Sequence, residues 1–229
     1  MLRAGGAAGP ALAAGAAAGW GLPAPVRESP GPGAWRDGRD RAAEILDRVG
    51  IESGFVALIP FASHPLKRWP ADRFAAVARR MLERGESVAV IAAPDDDAAA
   101  EVAALCRPDR PVVIPPTDLR TLAAILARAA VCVGNDTGVM HMAAAAGRPA
   151  VAIFGPSDAR AYAPGGRVDL AAPATAPCPI RQAGTLSPPG CWVAGRCLNR
   201  CGPCIDQVSV DEVFERLRTA LGRREEQAA

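Results

Sequence analysis

What this sequence lacks narrows it first. Neither sign of charge dominates: 26 Lys and Arg stand against 24 Asp and Glu in 229 residues, a formal net charge of +2. That is far from the basic excess a nucleic-acid-binding domain carries, so no nucleic-acid partner is expected. No run approaches the ~18–20 apolar residues that span a bilayer, and the chain reads as soluble. Neither Gly-x-Gly-x-x-Gly nor Gly-x-x-x-x-Gly-Lys-Ser/Thr occurs, which removes support for the dinucleotide and P-loop readings. No repeat with a period of about 20–50 residues is visible. The opening stretch is short of large apolar side chains, being mostly Ala, Gly and Pro. Arg3 and the small residues up to Ala18 resemble a signal peptide only in outline, with Leu12 the one strong hydrophobe among them.

What is present is enough apolar material, half of all residues, for one α/β core. Residues 1–50 read as a flexible low-complexity lead. From residue 51 short β-rich apolar runs alternate with helical patterns. Strands are expected at 55–60, 87–92, 112–114, 131–134 and 150–155. Helices are expected at 70–85, 95–106, 117–129 and 138–146, the third capped by Thr117 or Asp118. Nearly continuous apolar strands joined by helices predict a doubly wound parallel sheet, an α/β Rossmann-like fold over residues 51–220, with a tail at 221–229. Ligands of such sheets bind at the carboxyl ends of the strands.

Three of the loops at those ends carry unusual residues: "PFASHPLKRWP", "APDDD" and "GNDTGVMH". In the third, Asp136 and Thr137 stand where an N-cap belongs, Gly138 leaves room for close approach, and His141 follows one turn into the helix. A helix start offers free amides and a partial positive charge to a phosphate, although an ordinary cap and a helix histidine explain the same residues. Lys67 tilts the balance, because a diphosphate needs a point charge as well as amides. Arg68 beside it reads equally as a solvated charge. The Asp95–Asp97 run is either a helix-start cluster or a source of one carboxylate for ribose hydroxyls.

These stretches, with "TDLRTLAAILARAAVCVGNDTGVMHMAAAAGRPAVAIFGPSD" and "CIDQVSVDEVFERL", resemble the carboxyl-terminal half of the ADP-heptose:lipopolysaccharide heptosyltransferases, glycosyltransferase family 9, over roughly residues 52–218. The resemblance implies one Rossmann-like half of a GT-B fold that holds a nucleotide-sugar. By it, Lys67 is the phosphate-binding lysine, Asp136, Thr137, Gly138 and His141 form the donor motif, and Asp96 reaches the nucleoside. Ser63, Arg68 and Asn135 complete the implied donor set. The implied reaction is inverting transfer of heptose from an ADP-sugar to a lipopolysaccharide core acceptor, with no required metal. The acceptor site and catalytic base would belong to an amino-terminal half, either lost by truncation, encoded upstream of a misassigned start, or supplied in trans by a partner, so no catalytic residue is named. The implied location is the cytoplasm, with a peripheral place at the inner face of the inner membrane left open.

Five of the seven cysteines, Cys178, Cys191, Cys197, Cys201 and Cys204, crowd a Pro/Gly-rich insertion at 178–204, while Cys106 and Cys132 fall in core patterns. Clustered thiols in a cytosolic setting point to a metal, with zinc the first candidate, or to redox chemistry, more than to disulfides, with one or two disulfides or uncommitted thiols as the other readings. Their spacing matches no standard zinc ribbon. The "CGPC" at 201–204 copies the thioredoxin tetrad without its βαβ context. Two alternatives to a transferase therefore stand: a non-catalytic nucleotide-sugar-binding module, and a cysteine-centred metal or redox protein.

Overall fold

The computed structural model describes residues 32–165, 168–171, 178, 180, 190–198 and 203–228. Helix α1 (Pro32–Val49) precedes β1 (Val56–Ile59), α2 (Ala71–Glu83), β2 (Val88–Ile91), α3 (Ala98–Leu105) and β3 (Val112–Ile114). Then come α4 (Leu119–Leu126), β4 (Val131–Asn135), α5 (Gly138–Ala145), β5 (Ala150–Ile153) and α6 (Ala159–Tyr162). Strand β6 (Val168–Ala171), α7 (Gly190–Val193) and α8 (Val210–Ala228) complete the order. All strand pairs are parallel, in the order β3-β2-β1-β4-β5-β6. The chain is thus an α/β, Rossmann-like doubly wound sheet, and its order reverses between β1 and β4, where such sheets bind ligands.

Strand alternation sorts the core into two layers. Val56 and Leu58 of β1 face the layer built by α2, α3 and α8. Ala57 and Ile59 face the layer of α1, α4 and α5. With helices on both sides every residue of β1, β2, β4 and β5 is buried, which is why these runs are continuously apolar rather than alternating, with Asn135 at the end of β4 the one exception. Helix α2 shows the opposite pattern: Phe74, Ala75, Val77, Ala78 and Met81 make one buried stripe at helical spacing.

Three expectations need correction. Residues 32–49 of the expected flexible lead form α1, which buries Ala42 and Leu46 against the sheet layer beneath it; residues 1–31 lie outside the described residues. The acidic run precedes the helix instead of forming its first turn: Asp95 takes a left-handed φ of 56°, Asp96 Oδ1 accepts the Ala98 amide at 3.0 Å, and Asp97 is the N-cap of α3, which starts at Ala98. The expected tail at 221–229 continues α8 as far as Ala228. The alternative caps of α4 resolve to Asp118, which accepts the amides of Arg120 and Thr121.

Candidate functional site

The turn after β1 is built around Asn135 at the end of β4. Asn135 is completely buried; its Oδ1 accepts the Trp69 amide at 2.9 Å and its Nδ2 donates to Pro60 O at 2.6 Å. Trp69 is buried too, with Nε1 donating to Val208 O at 2.9 Å. These bonds pin both ends of the 60–69 segment to β4, and Lys67 is carried between them. A single-turn 3-10 helix (Pro65–Lys67) aims the lysine across the sheet edge.

Lys67 Nζ lies 2.6 Å from Asp136 Oδ2 and donates to Asp136 O at 3.3 Å. Ser157 Oγ donates to the same Oδ2 at 2.6 Å. The ion pair is poorly hydrated, with side-chain exposures of 15% and 7%. Its desolvation is offset by the short contacts on both partners. Beside it Arg68 pairs with Asp96 at 2.7 Å and donates from Nε to Ala62 O at 3.0 Å. Thr137 caps α5, its Oγ1 accepting the Val139 amide and its carbonyl the Met140 amide. With those two amides satisfied, α5 offers an anion its dipole and the open space at Gly138, where an added Cβ would meet nothing within 4 Å.

Ser63, Lys67, Arg68, Asp96, Asp136, Thr137, Gly138 and His141 all line one cavity of about 660 Å³ at the carboxyl ends of β1, β2 and β4. Asp95 and Tyr162 line it as well, and Asp97 does not. Asn135, expected among the ligand-binding groups, is not in the wall: both ends of its amide are committed to the loop after β1.

Three contributors escape a reading of motifs. Ser157, buried after β5, orients Asp136. His64 Nδ1 accepts the Leu66 amide at 3.2 Å, so the neutral ring carries its proton on Nε2 and donates to Trp192 O at 3.1 Å. Trp192 on α7 stacks on that histidine. A compositional signal was available for this place: Lys67 is the one lysine beside 25 arginines, and His64 and His141 are the two histidines of the chain.

The described thiols do not assemble into a metal cage. Cys106 and Cys132 are buried in the core, away from the insertion, Cys201 lies outside the described residues, and no group of three or more ligating side chains occurs among the described residues. Burial pushes the Cys191 thiol up, and neighbouring Cys197 and Cys178 add to that. Burial takes Cys132 to about 12. Such thiols are the reverse of an activated nucleophile.

Comparison with known proteins agrees with this fold. The family model for glycosyltransferase family 9 (heptosyltransferase) matches residues 11–179, a span that starts earlier and ends earlier than the expected 52–218. Lipopolysaccharide heptosyltransferase 2 of Escherichia coli K12 is 34% identical over 98 residues, covering 41% of this chain and 28% of that protein. Lipopolysaccharide heptosyltransferase 1 of Pseudomonas aeruginosa is 37% identical over 94 residues, covering 40% and 26%. The structure of E. coli ADP-heptose lps heptosyltransferase II superposes with a TM-score of 0.62 at 22% identity, over 81% of this chain and 52% of that one. A glycosyltransferase family 9 structure from Veillonella parvula gives 0.65 at 23% identity, over 82% and 52%. The chain spans about half the length of these solved structures. With the family model covering most of its residues, the chain belongs to glycosyltransferase family 9, the heptosyltransferases.

Proposed function

We propose that this chain is the donor half of a heptosyltransferase, holding ADP-heptose or a related ADP-sugar for transfer to a lipopolysaccharide core acceptor. The observation that carries the reading is the convergence of Lys67, the Asp136-Thr137-Gly138 turn, His141 and the Arg68–Asp96 pair on one cavity at the β1/β4 reversal. In heptosyl transfer the acceptor oxygen bonds to the anomeric carbon as the bond to the β-phosphate oxygen breaks, and the diphosphate leaves with the electron pair. Charge grows on that leaving group, so a cation and a helix start aimed at it are worth more in the transition state than in the ground state. Lys67 fits this task because its ammonium is already held at the cavity wall by Asp136 and exchanges one anion for another. Asp96, held by Arg68, stands at the end of β2, where a carboxylate meets ribose hydroxyls in this fold class. The acceptor and the base that takes its proton are assigned to an acceptor-side half that this chain meets, at the inner face of the membrane. No described helix is long and apolar enough to cross that membrane.

Calorimetric titration of ADP and ADP-heptose, with GDP and UDP as controls, tests the reading on the 229-residue chain. Adenine-selective binding, weakened at least 10-fold by Lys67→Ala (a lost charge-assisted hydrogen bond, roughly 1.5–3 kcal/mol) and weakened also by Asp136→Ala, is the expected result. Binding of GDP or UDP as tightly as ADP contradicts the adenine assignment. A folded chain that takes no nucleotide contradicts the whole proposal.

A further inference from the structure

The insertion after residue 177 draws attention through its cysteines, yet what it brings to the site is an aromatic ring. Trp192 stacks on His64 with centroids 4.5 Å apart and planes at 26°. The Lys67 ammonium sits 4.8 Å from the centroid of the indole ring. The arrangement is tied on both sides: His64 donates to the Trp192 carbonyl and accepts the Leu66 amide, while buried Cys191 seats the same turn of α7. Lys67 thus lies between an aromatic face and the Asp136 carboxylate.

The two partners act differently on the ammonium. Asp136 takes hydrogen bonds from it through Oδ2 and through its carbonyl, and an incoming phosphate oxygen competes for those donors. The indole face attracts the charge through its quadrupole and lets the donors turn to a new acceptor. A lysine released by its carboxylate would otherwise regain a flexible four-carbon stem. We infer that Trp192 is a positioning residue for Lys67, keeping the ammonium at the height of the donor's diphosphate when the phosphate draws it away from Asp136. The inference rests on the donor-site reading above.

The chain's single lysine makes the test direct, because a chain labelled with ¹³C,¹⁵N-lysine has one lysine spin system. Without ligand, the Lys67 methylene protons of the parent chain are expected upfield of their free position through the indole ring current. Trp192→Phe should keep most of that shift, and Trp192→Leu, which keeps apolar bulk without a π face, should abolish it. ADP affinity should fall about 3- to 30-fold in Trp192→Leu, the range of a partly desolvated cation–π contact. It should largely recover in Trp192→Phe, and adenosine, which has no phosphate, should bind all three alike. Unshifted lysine resonances in the parent chain, equal losses for ADP and adenosine, or a Phe variant as weak as the Leu variant would each overturn the inference. A parent chain with a shifted Lys67 that takes no ADP overturns the donor reading, and with it the role given to Trp192. The ligand-free spectrum separates that case from failure of the Trp192–Lys67 contact itself.

Discussion

Lys67 and Asp136 show how a site is kept charged before its ligand arrives. A buried cation without a partner costs several kcal/mol, so the pair is as much a condition of folding the loop as a part of binding. Asp118 illustrates the same economy at a simpler place. Its carboxylate accepts the Thr121 hydroxyl at 2.7 Å and the amides of Arg120 and Thr121, and Thr121 is completely buried. The Thr121 hydroxyl first, then the Thr121 amide, hold the Asp118 carboxyl below its ordinary 3.8. A depressed carboxyl contributes stability that is present above the unfolded value and disappears as pH falls through the folded one. Asp118→Ala is therefore expected to cost about 1 kcal/mol at neutral pH, the usual worth of an N-cap. In urea titrations the gap from the parent chain should narrow as pH drops below 3.8. A gap of the same size at pH 7 and well into the acid range would show that the charge of the cap is irrelevant.

At the scale of elements, β4 sets the site. Ile59 of β1 pairs with Gly134 of β4, and a Cβ on Gly134 would fall 2.6 Å from both the Cβ and the carbonyl oxygen of Ile59. A carbonyl in the central strand cannot swing aside without parting the two strands at the end that carries Asn135 and Asp136. Gly134→Ala is thus expected to lower stability by about 1–3 kcal/mol, the usual penalty of overpacking, and to weaken nucleotide binding beyond what the stability loss explains. An unchanged urea midpoint would mean the strands have slack that these distances deny. The central strands were legible because both their faces are covered, so their residues are apolar up to Asn135 at the end of β4. Helix α1 was not, and Gly38 shows why. Its missing Cβ would stand 3.2 Å from the backbone of Arg120, so the glycine that reads as flexibility is where α1 packs tightly on α4. Asn135 misled in the other direction: a motif places it beside Asp136, and only the fold reveals that its amide is spent on Pro60 and Trp69. Trp192 was beyond reach because 125 residues separate it from Lys67 in the chain, and no local pattern links them.

For the molecule as a whole, α1 is the element that closes one side of the sheet. The layer of α4 and α5 shares Ile59, Ile91, Ile125 and Phe154 with Ala42 and Leu46 of α1, so without α1 that layer would face water. Leu46 is 1% exposed, with Ile45 and Val49 of the same helix only partly buried against that cluster. Truncating it leaves a cavity whose cost adds to the lost transfer energy, and Leu46→Ala is expected to destabilise the chain by about 2–5 kcal/mol. The urea midpoint should fall with the slope of the transition unchanged, as it does when stability alone is altered. Were α1 only laid on a finished domain, the substitution would leave the main transition in place or split off a separate early one. No residue of α1 lines the cavity. If α1 belongs to the cooperative unit, ADP affinity in Leu46→Ala should therefore match the parent chain while the protein stays folded, and should be lost only in step with unfolding.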